Sequence, residues 1–264
     1  MSAFLIDGQP ATQADLQYLA LVNYGAYTSF RVEHGGVRGL DLHLDRLESS
    51  AAELFGERIG EDRLRDLMRI ALAGQQEAWL RISLFSPDIW PRTPSARVRP
   101  KVMTTVSPPP PPLASKVRLE VQTYARETAE LKHTATLGLI RARRLARDAG
   151  FDDALFADAD GVISEGATWN IGFLSGDQVV WPQAPMLAGV TQVLIARGLA
   201  EVGMSQSTGP VRVADLSRFD GAFFCNSSTP ACAVAAIGNQ VFDAGPDRIE
   251  RLAQAWLSQA AEQI

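Results

Sequence analysis

Apolar positions recur with two different periods along this chain, and the changes of period mark its elements. Phe4-Leu5-Ile6 runs into Asp7-Gly8, a strand entering a turn. Strands at 27–33 and 37–39 flank His34-Gly35-Gly36, which reads as a hairpin. Leu42, Leu44, Leu47, Ala51, Leu54 and Phe55 then fall at helical spacing, and Gly56 closes the run. The pattern predicts a second helix over about 62–73 and strands over 79–85 and 98–106.

Five consecutive prolines at 108–112 interrupt both periods. They make a stiff extended segment that neither a helix nor a central strand can contain. The expected division is a smaller α+β domain at 1–106, a linker at 107–115 and a larger domain at 116–264. In the larger part, alternation predicts strands at 117–124, 154–157, 161–163, 169–173, 179–181, 222–225 and 231–237. Helical spacing predicts 133–147, ended by Gly150, and 191–202. A closing helix carries Ile249, Leu252, Trp256 and Ala260 on one face. Strands and helices mix without strict β-α-β alternation, which predicts an α+β fold with antiparallel or mixed sheet.

Composition narrows the classes. The net charge is −5 and no stretch concentrates basic residues, which excludes a nucleic-acid partner. No apolar run reaches the ~18 residues of a membrane span. Residues 1–8 lack a basic segment followed by an apolar core, so no secretory leader is expected. Two cysteines, Cys225 and Cys232, in a chain this long suggest buried, reduced thiols and a cytoplasmic protein. His34, His43 and His133 have no metal-ligand spacing, so no metal site is expected.

The cations carry a sharper signal. Of 25 basic residues only Lys101, Lys116 and Lys132 are lysines. Arginine cannot replace a lysine that must lose its proton and form a Schiff base, so lysines are the few candidates for that chemistry. Lys132 lies in Glu130-Leu131-Lys132-His133-Thr134. Three other pieces accompany it: Arg46 in His43-Leu44-Asp45-Arg46-Leu47, Glu165 in Ser164-Glu165-Gly166-Ala167-Thr168-Trp169-Asn170, and Gly189-Val190-Thr191-Gln192 at a helix start. Together they suit pyridoxal phosphate, which needs a lysine for its aldehyde, an acid for its ring nitrogen, and a helix N-terminus with an arginine for its phosphate.

On these residues the chain resembles the class IV pyridoxal-phosphate aminotransferases. That family includes branched-chain and D-amino-acid aminotransferases and 4-amino-4-deoxychorismate lyase. The resemblance runs through 27–47, 130–150, 152–173, 189–192 and 224–237. It implies a two-domain α+β fold of type IV with the cofactor in the interdomain cleft, and a homodimer. It implies Lys132 as the Schiff-base lysine and Glu165 as the acid at the pyridine nitrogen. Arg46, Val190, Thr191 and Ser227 match phosphate positions, with Ser228 or Thr229 as alternatives to Ser227. Leu187 matches an apolar side chain on one ring face, and Thr168 and Asn170 match positions beside the ring. Tyr27 and Arg81 match substrate-side positions. Trp169, alternating with Thr168 and Asn170, is expected to face away.

Some positions depart from the family pattern. Many relatives have a tyrosine five residues after the lysine, where this chain has Leu137. Leu84 stands near the place of the arginine that D-amino-acid enzymes use to trap the substrate carboxylate. Asn226-Ser227-Ser228 replaces a common Gly-Thr-Ala, and Cys225-Asn226-Ser227 together with Leu131-Lys132-His133 looks closer to the lyase branch. The resemblance implies amino-group transfer between an amino acid and a 2-oxo acid, with Lys132 as acid and base. The alternatives are a lyase releasing pyruvate and 4-aminobenzoate, and a non-catalytic member of the family.

Overall fold

The computed structural model describes residues 4–113 and 116–264; residues 1–3, and residues 114–115 of the expected linker, lie outside the described residues. Two units form. The first takes the chain up to Pro110 together with Leu131–Ala135 and Ala261–Ile264, and the second takes Pro111–Glu130 and Thr136–Ala260.

The first unit runs β1 (Phe4–Ile6), β2 (Gln9–Pro10), α1 (Gln13–Leu21), β3 (Ala26–Val32), β4 (Gly36–Arg38), α2 (Leu40–Phe55), α3 (Glu61–Leu72), β5 (Ala78–Phe85) and β6 (Lys101–Ser107). Five strands make one antiparallel sheet in the order β2-β1-β6-β5-β3. Period-2 alternation gives it one dry face, because Phe30, Val32, Leu80, Ile82 and Leu84 are buried with the apolar stripes of α2 and α3. The opposite face carries Tyr27, Ser29, Arg81 and Ser83, paired by a register that sets Tyr27 across from Ser83 and Ser29 across from Arg81.

The second unit runs β7 (Val117–Thr123), α4 (Leu137–Asp148), β8 (Asp153–Ala157), β9 (Ile163–Gly166), β10 (Asn170–Ser175), β11 (Gln178–Pro182), α5 (Val190–Gly198), β12 (Ser205–Gly209), β13 (Gly221–Asn226), β14 (Thr229–Ile237), β15 (Gln240–Val241) and α6 (Pro246–Leu257). Its nine-stranded sheet has the order β12-β11-β10-β13-β14-β7-β8-β9, with β15 beside β14. Parallel and antiparallel pairs coexist, as the irregular alternation of the sequence predicts. Successive side chains serve opposite faces. Leu174, Phe223 and Cys225 pack in one core with Ile195 of α5 and Leu252 of α6. Phe173, Ala222 and Phe224 pack in another with Trp169. Both cysteines are free and buried, and burial pushes the Cys232 thiol up to about 11. No helix among the described residues is long and apolar enough to cross a membrane.

Three departures from the sequence expectations have physical causes. A contiguous larger domain at 116–264 does not describe the second unit, because two segments pack with the first. One is Leu131–Ala135, which bonds to the start of β3; the other is β16 (Ala261–Gln263), which pairs with β4. The helix expected from residue 133 begins only at Leu137, because the chain before it is drawn into backbone bonds with Gly25 and Tyr27. The helix expected over 191–202 ends at Gly198 and continues as a 3₁₀ turn over Leu199–Val202.

Candidate active site

In the first unit, Lys132 sits on a short strand-like bridge. Its carbonyl accepts from Tyr27 N at 2.8 Å, Thr134 N donates to Gly25 O at 2.8 Å, and His133 bridges Ala26. Gly25 has to be glycine, since a Cβ there would lie 2.2 Å from Leu84 O. Lys132 Nζ stands 5.0 Å from the centroid of the Tyr27 ring. The Arg81 guanidinium lies over the same ring at 3.7 Å, and its Nε donates to Ser83 Oγ at 3.3 Å. The structure thus brings Lys132, Tyr27 and Arg81 together on the sheet face turned away from the core.

Behind that sheet, His43 of α2 is buried, with Nδ1 2.6 Å from Thr28 Oγ1 and its ring 4.6 Å from that of Phe30. Burial holds its pKa well below the usual histidine range, and the charges of Arg46 and Lys132 push the same way. Arg46, half-buried, is one helical turn from His43.

In the second unit, Glu165 is the penultimate residue of β9 and is 4% exposed. Arg126 Nη1 donates to its Oε1 at 3.2 Å, an ion pair whose side chains are 6% and 5% exposed. Leu187 N approaches Oε2 at 3.4 Å, and Leu187 O accepts from Asn170 Nδ2 at 2.8 Å. Glu165 and Asn170 thereby hold both backbone polar groups of one residue, Leu187. Gly189 leaves room for this clasp, because a Cβ there would sit 1.9 Å from Asn170 Oδ1. Gly189 is also the N-cap of α5 and supplies no side-chain bond. The first intrahelical bond runs from Val193 N to Gly189 O, so the N–H groups of residues 190–192 are not used by the helix. Val190 and Thr191 are buried there. A helix start of this kind suits an anion.

A turn after β13 completes the second set. Asn226 Oδ1 accepts from Ser228 N, Ser228 Oγ and Thr229 N, and Asn226 Nδ2 donates to the carbonyl of Thr168 at 3.3 Å. Thr229 Oγ1 accepts from Leu113 N. The hydroxyls of Ser228 and Thr229 are therefore engaged, whereas Ser227 Oγ makes no bond among the described residues. Thr168 is exposed, and Trp169 turns into the core, where its Nε1 donates to Asp153 Oδ2 at 3.1 Å. Sequence reasoning missed Arg126, His43 and Asn226 as parts of these sets. His43, three positions before Arg46, and Asn226, beside Ser227, stood in the quoted motifs. Arg126 had no signal, being one arginine among many.

The second unit thus holds a buried acid on a strand and an uncapped helix start, and the first unit a lysine pinned through its backbone. The chain belongs to the class IV aminotransferase family: the family profile described as amino-transferase class IV matches residues 25–237. No curated protein sequence matches it. Among solved structures, a branched-chain aminotransferase from Thermoproteus uzoniensis with norvaline superposes with a TM-score of 0.83 at 19% identity, over 97% of this chain and 94% of that one. A hypothetical aminotransferase from Mycobacterium tuberculosis, in its PLP-bound form, gives 0.78 at 20% identity over 98% and 99%. A putative 4-amino-4-deoxychorismate lyase from Legionella pneumophila gives 0.77 at 20% identity over 90% and 91%. At these identities the likeness is one of fold, and it is the α+β fold of type IV.

Proposed function

We propose that this protein is a pyridoxal-phosphate-dependent aminotransferase that moves an amino group between an amino acid and a 2-oxo acid. The observation that carries the reading is the fixing of Lys132 by backbone bonds, with its Nζ over Tyr27 and Arg81 on the same ring.

The donor set fits the cofactor. Glu165 presents a buried carboxylate held by Arg126, the kind of acid that a protonated ring nitrogen calls for. The unused N–H groups at Val190 and Thr191, with the unengaged Ser227 hydroxyl and the Arg46 charge, suit a phosphate. Of the three hydroxyl candidates, Ser227 is preferred because those of Ser228 and Thr229 are spent on the turn. Leu187, buried beside Glu165, offers an apolar surface to a ring face. Thr168 and Asn170 flank the buried Trp169 and hold the neighbouring backbone.

When bound, pyridoxal phosphate supplies an electron-poor ring that takes up the electron pair left at the substrate α-carbon. Lys132 Nζ would hold the cofactor and, once freed by substrate, would take and return the proton of the substrate α-carbon. Arg81, whose charge no carboxylate of the described residues meets, orients the substrate by an acidic group. Tyr27 fixes the plane on which Arg81 rests. A homodimer acting in the cytoplasm is part of the same proposal.

The test is a panel of amino donors and 2-oxo acids, followed by the cofactor's absorbance. Wild-type protein is expected to be yellow and to lose colour on borohydride with the label on Lys132, and Lys132→Ala is expected to be inactive. Near-native turnover of Lys132→Ala would sink the reading. Pyruvate release from aminodeoxychorismate without amino transfer would move the assignment to the lyase.

A further inference from the structure

The second unit contains a hollow that the proposed reaction does not use. Its volume is about 300 Å³, and Leu113, Val117, Trp169 and Phe224 form its apolar walls. Two cations of α4, Arg143 and Arg147, also line it. Arg147 Nε donates to a backbone carbonyl, that of Asp152, at 3.3 Å, and no carboxylate of the described residues meets its charge. Arg143 Nε lies 3.2 Å from Asp153 Oδ1 but is shut off from solvent without a hydrogen-bond acceptor among the described residues. A buried donor in that state is costly, and an acceptor seated in the hollow would satisfy it. The acids on the wall are already occupied. Asp153 accepts from Trp169 Nε1 and Ala154 N, and Asp152 Oδ2 accepts from Arg118 N at 2.7 Å. Flat apolar walls with two guanidinium groups at one side match a small aromatic ring bearing one carboxylate.

The wall also reaches the candidate site through the backbone. Trp169 O accepts from Gly166 N at 2.9 Å, and the indole packs so closely that a Cβ on Gly166 would lie 2.2 Å from it. Gly166 follows Glu165, and Trp169 stands between Thr168 and Asn170. The indole therefore pins the loop that carries three of the site residues.

We propose that this hollow binds a small aromatic carboxylate, and that its occupant alters turnover by bearing on Trp169. The second clause rests on the aminotransferase reading; the first does not. The experiment uses the full-length holoenzyme labelled with 5-fluorotryptophan, with its five tryptophans assigned by Trp→Phe substitution at each in turn. Sodium benzoate is expected to shift the Trp169 signal saturably, with neutral benzamide binding at least tenfold more weakly. Arg147→Glu is expected to weaken benzoate at least tenfold. An unmoved Trp169 signal, equal binding of benzamide, or wild-type affinity in Arg147→Glu would overturn the site. In the aminotransferase assay benzoate is expected to change kcat without competing with the 2-oxo acid. Unchanged kinetics, or plain competition, would overturn the coupling. Lys132→Ala is expected to keep the Trp169 shift, so an active Lys132→Ala protein would remove the proposed function while leaving the binding site standing.

Discussion

The two sets of candidate residues are held by opposite means. In the first unit, Lys132, Tyr27 and Arg81 stand half-buried at the sheet face turned away from α2 and α3, and Lys132 is positioned by main-chain bonds of a five-residue segment. In the second, Glu165 is sunk in the interior and fixed by side-chain bonds to Arg126 and Leu187. One arrangement fixes the residue through its backbone. The other immobilises a charge at the cost of desolvating it. The first suits the proton-carrying role proposed for Lys132, and the second the role proposed for Glu165, which serves one partner throughout.

The contrast can be broken at its strongest point. Lys132→Arg keeps the charge and the backbone bonds, yet is expected to lower turnover by about 10⁴-fold or more, because guanidinium can neither anchor an aldehyde nor take a proton. Thermal denaturation of the same variant is expected to stay near wild type.

Glu165→Gln sharpens the other side. It removes the carboxylate facing a buried guanidinium and is expected to lose about 3–5 kcal/mol of stability. Pairing it with Arg126→Met is expected to restore most of that stability in denaturant titration but none of the activity. Recovery of both would mean that Glu165 serves only the ion pair.

Gly189→Ala is expected to cost about 1–3 kcal/mol by forcing Asn170 off Leu187 O. The measured loss should be shared by Asn170→Ala rather than added to it.

The smallest effect is a dependence on pH. His43 stays neutral when folded but takes a proton when unfolded below about 6.5. The unfolded chain then binds more protons, so stability falls as pH drops below that value, by about 1.4 kcal/mol per pH unit until the folded protein is also protonated. Denaturation midpoints from pH 7 to 5 should show this slope, and His43→Gln should flatten it.

Much of the frame was legible. The helix ending at Gly56 adopts a left-handed cap there, and the strands expected at 169–173 and 179–181 fall on β10 and β11, which pair antiparallel. In both cases local chemistry and tertiary packing agree. Helix α1 escaped because it buries little, with only Asp15 and Tyr18 inside, although its capping box from Thr12 to Asp15 was readable. Residues 133–136 were misread because four residues of helical pattern cannot outweigh backbone bonds to a strand more than 100 positions away. Within the site, residue types in motif order pointed to the lysine, the acid and the anion-ready helix start. Arg126 was invisible because its meaning lies in burial opposite Glu165, and no spacing encodes that.

The chain visits the first unit twice after leaving it, and the earlier visit delivers Lys132. Neither unit could therefore be inherited, exchanged or grafted as a cassette cut at the proline run. A gene fragment ending at residue 110 would leave the lysine behind, and one starting after it would carry the lysine without the strand that pins it. Swaps among relatives should tolerate joints inside surface turns far better than joints at what looks, on paper, like the natural seam.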